Sequence, residues 1–306
     1  MKKILLILFV SINFYVHAQV DSLFQVPGTH CSMLPPKGFD KAETFSGFQQ
    51  PNTGSSIMIT ELPTNYMVIV NSFTAESLAK AGLLLMSSDT LIFNGMTAYT
   101  YYIKQKANEV TFNKQVFIFG NNQLAVMVNG MYPEKETAVG EIILSSMKSV
   151  IYNETTAENG KEAVKFALDP TGTSMIYSGY LSGALMYSQD GKMPTQSADK
   201  AVFTVGSSFS SVAIDDTKAY TESRIKSLPY AEKTVIKTIT PVTIYNINGY
   251  EIVAEGSDKE NQQQLIYFVM LYPDNTSYYI MLGMTNAKYE SYLSDFRKLA
   301  QTFMLK

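Results

Sequence analysis

The side chains best suited to chemistry are few, and two of them are adjacent. Cys31 is the only cysteine of the chain, and His30 beside it is one of two histidines. A thiol next to an imidazole suggests a nucleophile with its base, or half of a metal site. The first needs a lowered thiol pKa and a placed donor for the developing oxyanion. The second needs three or four ligands, which carboxylates would have to complete. Neighbouring side chains on an extended segment point in largely opposite directions, so His30 is badly placed to activate Cys31. Cys31 therefore reads as an inert thiol in an N-terminal lead-in, with no second cysteine to pair with.

Other candidates yield to plainer readings. Asp215-Asp216 offers paired carboxylates or calcium ligands, but acids at a helix start complement exposed backbone donors, and no EF-hand spacing follows. Gly179-Tyr180-Leu181-Ser182-Gly183 puts its serine one position away from the nucleophile-elbow spacing, so it reads as a bend beside a strand. Tyr99, Tyr101, Tyr102, Tyr278 and Tyr279 suggest an aromatic platform for a ligand such as a sugar; tyrosine pairs on strands also serve cross-strand packing. With His30 the one histidine beyond residue 18, no Ser-His-Asp or Cys-His-Asn set is expected. Phosphate-binding and dinucleotide fingerprints are absent from the sequence. The expectation is no catalytic residues, no cofactor and no bound metal.

These residues sit in a chain of 306 with an exported look. Lys2 and Lys3 precede a short apolar run, Ile4 to Val10, and Val16-His17-Ala18 supplies small-residue cleavage chemistry. That is the pattern of a secretory signal peptide over residues 1–18, and the run is shorter than the ~20 residues a spanning helix needs. Cys31 lacks the setting of a lipidated cysteine, so a soluble periplasmic or secreted chain is expected. Loss of the two lysines takes the formal net charge from −3 to −5, and Arg224 and Arg297 are the only arginines. Nucleic acid and anionic membrane surfaces, which need clustered positive charge, are poor partners.

The elements that must position any site come twice. From Leu91 to Ile151 the pattern is strand, Asn94-Gly95 turn, strand, strand, Gly120-Asn121-Asn122 turn, strand and amphipathic helix. Asn-Gly supplies the positive φ of a type I′ hairpin, and Val139, Ile143, Met147 and Val150 share one helical face. The same order returns from Tyr245 to Leu305, around Asn248-Gly249, with Tyr292, Phe296, Ala300 and Phe303 on the closing helix. Earlier matches pair Leu34-Pro35-Pro36-Lys37-Gly38 with Leu168-Asp169-Pro170-Thr171-Gly172, and Phe45-Ser46-Gly47-Phe48 with Tyr177-Ser178-Gly179-Tyr180. A short helix over Phe73 to Gly82 matches one around Tyr220 to Pro229. The ordered matches predict tandem duplication: a lead-in over 19–32, a first domain over 33–152, a polar linker over 153–161 and a second domain over 162–306. The second copy carries extra residues around Ala184 to Ala201 and before Asn248.

A Leu-Pro-Pro-Lys-Gly-Phe lead (Leu34 to Phe39), a strand, a short helix, a four-strand meander and a closing helix resemble the PsbP-like fold, named from an extrinsic subunit of photosystem II. The resemblance covers Leu34 to Ile151, and more loosely Leu168 to Leu305. It implies an α+β chain of two antiparallel sheets, each flanked by helices as an α/β/α sandwich, and it brings no catalytic motif. The alternative is a helix-grip fold, in which a curved sheet wraps a long helix around an apolar pocket. The expected function is a non-enzymatic binding or assembly module for a protein partner in the cell envelope. Its alternative is a carrier holding a small apolar ligand between sheet and helix, and an enzyme with an unfamiliar carboxylate site ranks below both.

Overall fold

A computed structural model describes residues 22–93, 95–107, 109–156, 160–209, 213–228, 233–258 and 260–306. The expected signal peptide over 1–18 and Asn94 of the first turn lie outside them.

The first half opens with two short strands, β1 (Phe24–Gln25) and β2 (Cys31–Met33). Next come β3 (Asp40–Lys41), β4 (Gly47–Gln50) and β5 (Ser55–Leu62), then helices α1 (Tyr66–Ser72) and α2 (Ala75–Lys80). A meander follows, β6 (Leu83–Phe93), β7 (Met96–Ala107), β8 (Val110–Gly120) and β9 (Ala125–Pro133), closed by α3 (Thr137–Lys148) and β10 (Ile151–Tyr152). The sheet runs β3-β4-β5-β9-β8-β7-β6, antiparallel throughout. Its alternating residues feed two cores. Ile57, Ile59, Phe117, Phe119 and Val128 meet Ile143 and Met147 of α3, while Tyr101, Ile103, Val116 and Ile118 meet Val70 and Leu78 of α1 and α2.

The second half repeats this plan. It consists of β11 (Phe166–Ala167), β12 (Ile176–Leu181), β13 (Ala184–Ser188), β14 (Val202–Ser207), α4 (Thr217–Ile225), β15 (Val235–Ile244), β16 (Ile247–Ser257), β17 (Gln263–Leu271), β18 (Tyr279–Thr285), α5 (Tyr289–Gln301) and β19 (Met304–Leu305). The sheet order β12-β13-β14-β18-β17-β16-β15 matches the first, position for position. Phe296 and Leu299 of α5 fill one core, and Ile225 of α4 joins another on the opposite face. The chain is thus α+β, with two seven-stranded antiparallel sheets, each packed by helices on both faces. Helices on both faces of each sheet make a sandwich rather than the single-faced packing of a helix grip.

Several sequence expectations need correction. The lead-in is no outlier: β2 pairs with β1 on one side and with β10 on the other, and Val26, Cys31 and Met33 are buried in the first core. The expected helix over Phe73 to Gly82 is α2, started by the Thr74 cap, and a further helix, α1, capped by the Asn65 side-chain oxygen, comes just before it. Asn248-Gly249 is not a turn. The β15–β16 hairpin turns at Tyr245 and Asn246, with φ of 50° and 60°, the positive pair of a type I′ turn. Gly249 lies within β16, where a Cβ would stand 1.9 Å from the Met270 carbonyl oxygen. The Phe45–Phe48 and Tyr177–Tyr180 matches also fall on different places in the sheets. Phe48 lies on β4, second from the edge, whereas Tyr180 lies on the edge strand β12.

Candidate functional site

The two domains meet where the β12–β13 hairpin seats on the first domain. Its turn holds Ser182 at φ 47° and Gly183 at φ 88°. A Cβ on Gly183 would lie 2.0 Å from the Thr44 carbonyl oxygen, so only glycine allows this approach. The Ser182 hydroxyl is 2.9 Å from Thr60 Oγ1. Ser46 Oγ donates to the Pro27 carbonyl at 2.7 Å and is therefore free to accept from the Tyr180 hydroxyl, 2.8 Å away. The Tyr180 ring lies against the bare backbone of Gly28. Phe45 and Phe209 add an edge-to-face contact at 6.2 Å, and Lys165 pairs with Glu43 at the exposed rim.

Beside this seat lies a cleft of about 650 Å³. The first domain contributes Leu62, Pro63 and Ile69. The second sheet contributes Leu181, Met186 and Val202. Leu181 pairs with Ala184, and Met186 with Thr204, so their side chains rise from the sheet face opposite Leu185, Tyr187 and Phe203, which pack toward α5. The third wall is the segment 189–201, which carries Met193 and Pro194 into the cleft. In the first copy the equivalent connection, between Gln50 and Ser55, is only residues 51–54. The extra residues noted around Ala184 to Ala201 therefore build this wall. Asp190 organises the segment by accepting from Ser188 Oγ, Thr195 Oγ1 and the backbone N–H groups of Lys192 and Gln196. Partial desolvation acts to raise its pKa, but these four donors outweigh it and hold the carboxyl well below the usual carboxylate range.

A smaller pocket of about 110 Å³ adjoins the cleft, sharing Pro63 and Met193. Here the expectation that His30 and Cys31 point apart fails, because His30 sits in the bend before β2 and both side chains turn to Glu61. One Glu61 oxygen accepts the His30 backbone N–H at 2.7 Å, the other lies 2.6 Å from His30 Nδ1, and Cys31 Sγ is 3.6 Å from the first. Sequence reasoning missed Glu61, whose alternation on β5 gives no sign of the lead-in folding over it. An imidazole beside a carboxylate is the basic half of a catalytic triad, which would still need a nucleophile within reach of His30. Ser182 lines the same pocket, but its hydroxyl is bonded to Thr60. Burial, then the Glu61 charge, pushes the Cys31 thiol far above its ordinary pKa, so the thiolate needed for attack is suppressed.

The other sequence candidates lie elsewhere. Asp216 caps α4 by accepting the Ala219 N–H at 2.9 Å. Asp215 lines a separate groove of about 540 Å³ at the far end of the second sheet. The five tyrosines do not converge: Tyr99 packs on Tyr66, Tyr101 on Phe73, Tyr278 on Tyr220 and Tyr279 on Phe303, while Tyr102 alternates to the sheet face opposite Tyr101. Among the described residues no group of three or more His, Cys, Asp or Glu is placed to hold a metal, and no helix is long and apolar enough to cross a membrane. The closing helices lie directly on their sheets. A Cβ on Gly130 would stand 2.3 Å from Ile143, and one on Gly283 2.5 Å from Phe296.

No family model matches the sequence, and no curated protein matches it. Among solved structures, the chain is similar to the PsbP protein of Synechocystis sp. PCC 6803, at 12% identity over 45% of this chain and 96% of that one, with a TM-score of 0.32. It is similar to LpqN, involved in cell envelope biogenesis of Mycobacterium tuberculosis, at 11% identity over 44% of this chain and 86% of that one, TM-score 0.32. It is also similar to the T6SS immunity protein TplEi of Pseudomonas aeruginosa, at 9% identity over 87% of this chain and 96% of that one, TM-score 0.32. None of these likenesses bears on the site.

Proposed function

We propose that this is an exported, non-enzymatic binding protein whose two PsbP-like domains hold an apolar ligand in the cleft between them. The observation that carries the reading is that cleft: about 650 Å³, walled by both domains and lined largely by apolar side chains. Its size falls within the ~300–1,000 Å³ of ordinary small-molecule sites. A ligand between sheet and closing helix, the arrangement expected of a carrier, is disfavoured by the direct contact of α3 and α5 with strand glycines. The PsbP-like assignment rests on the element order and on helices covering both faces of each sheet. Export rests on the charged, apolar and small-residue series of residues 1–18.

The test is binding of a neutral, environment-sensitive probe, phenylnaphthylamine, to the full mature chain. Fluorescence should rise saturably and should be lost in Met193→Asp, a change on the connecting segment rather than in a sheet. No saturable binding, or binding untouched by Met193→Asp, removes the cleft as the site.

A protein partner is the second reading, favoured by β6. That strand is the free edge of the first sheet and exposes Leu84, Met86 and Ile92, and an unpaired apolar edge is a template for strand addition. Capture of an envelope protein by wild type but not by a Leu84→Lys, Met86→Lys double variant would support it.

A further inference from the structure

Resting on the cleft-binding reading, we infer that the ligand is a single-chain amphiphile with one anionic head group, its tail among the apolar side chains and its head at Lys192. The charged residues lining the cleft are Lys192 and Lys200, and no carboxylate lines it among the described residues. The two lysines are not equivalent. Lys200 is already matched, 2.5 Å from Glu260 and 3.3 Å from Asp258. Lys192 Nζ instead contacts a neutral amide oxygen, Gln196 Oε1, at 2.9 Å, and makes no ion pair among the described residues. The nearest acid in sequence, Asp190, is turned into its own segment and saturated by four donors. Lys192, exposed at the cleft, is therefore its one lysine without an ion pair among the described residues.

The geometry narrows the ligand further. A doubly charged head would call for a second free cation, and Lys200 is taken, so a carboxylate monoanion fits better. The tail would run past Leu181, Ile69 and Leu62, with Met186 and Met193 on the walls. Thioether side chains are unbranched and polarisable and adapt to a flexible chain better than branched ones do. A wholly neutral ligand would leave Lys192 unused, and a membrane surface would need several clustered lysines. The segment that carries Lys192 is also the one the second copy has and the first lacks, so the charge and the wall arise together.

Displacement of phenylnaphthylamine from the full mature chain by oleate and by oleyl alcohol, both below their aggregation limits, tests this. Oleate should displace the probe at roughly three- to tenfold lower concentration than the alcohol, the range of one partly solvated charge contact. The gap should close in high salt and in Lys192→Gln, and persist in Lys192→Arg, with the thermal midpoint of each variant showing that it is folded. Equal displacement by acid and alcohol, or a gap that survives Lys192→Gln, overturns the anionic head while leaving the cleft intact. Failure of the neutral probe to bind overturns the cleft itself, and the two failures are thereby distinct.

Discussion

Ser149 and Thr302 do the same work in the two halves of the chain. Each ends its closing helix and donates to the carbonyl three residues back, Ser146 at 2.6 Å and Leu299 at 2.7 Å. Each also accepts the backbone N–H of the segment that enters its domain, Leu34 at 2.8 Å and Asp169 at 2.9 Å. The strands on either side repeat as well: β2 pairs with β10 just after α3, and β11 pairs with β19 just after α5. The structural repeat therefore extends to the way each domain's start is tied to its own helix end.

Replacing either hydroxyl should loosen that tie. Ser149→Ala and Thr302→Ala should each lower stability by about 1 kcal/mol, the worth of an ordinary hydrogen bond. The double change should be additive because the sites lie in different domains. Denaturant midpoints measure this; a Thr302→Ala protein as stable as wild type would show that the contact is incidental.

Phe296 is fully buried between α5 and the second sheet and contacts Phe203, Tyr267 and Tyr292. Truncating such a ring removes transfer energy and leaves a cavity, so Phe296→Ala should cost about 3–5 kcal/mol. Lys298→Ala, on the exposed face two residues on, should change stability by under about 0.5 kcal/mol. Urea melts of the two variants settle whether the face is correct.

Gly183→Ala should act on the domain seat rather than on either core. The added methyl meets the Thr44 carbonyl oxygen at a backbone φ of 88°, so the hairpin must back away from the first domain. Small-angle scattering should show a more extended chain while the secondary structure by circular dichroism stays unchanged. An unaltered scattering profile would mean that the seat tolerates the shift.

Alkaline pH should unfold the chain. Burial pushes the phenol of Tyr187 up to about 12, as it does that of Tyr272, against which the Thr221 hydroxyl works. A pKa raised in the folded state means that the neutral form is favoured by folding. That stability is complete below the ordinary value of 10.0 and is lost as pH climbs from there toward 12. Tyrosinate absorbance should rise together with loss of near-ultraviolet dichroism above pH 10. Titration of every tyrosine with the fold intact would contradict the burial.

Cys31 should ignore thiol reagents in the native protein and react on unfolding. It is fully buried, and the neighbouring carboxylate of Glu61 opposes its ionisation. Labelling with a maleimide in buffer and in denaturant measures the difference, and fast native labelling would place the thiol at the surface.

The sequence displays the meander and the closing helices well, because period-two strands and Ile143, Met147 and Phe296 at helical spacing are local signals. It displays β2, β10, β11 and β19 poorly, since two or three residues carry no period. The turn at Tyr245 and Asn246 was hidden by the stronger Asn248-Gly249 signal, and only the packing of β16 against Met270 decides between them. The site was the least visible part. Glu61 meets His30 across 31 residues of chain, and Leu62 and Leu181 come to line one cleft only once the two domains have docked. The extra residues near Met193 could be seen, but nothing local says that they form a wall.

That wall has an evolutionary consequence. Within segment 189–201 the ends are held, Gln189 by Ala201 and Asp199 by Asn286, Lys288 and Tyr292, whereas residues 190–198 lie outside the ladder, and the short link of residues 51–54 shows that such a sheet closes without them. The stretch 190–198 can therefore change in length while both frameworks stay fixed. A repeated fold in which one copy carries a long loop where the other has a four-residue link is a scaffold whose surface can be reshaped without refolding.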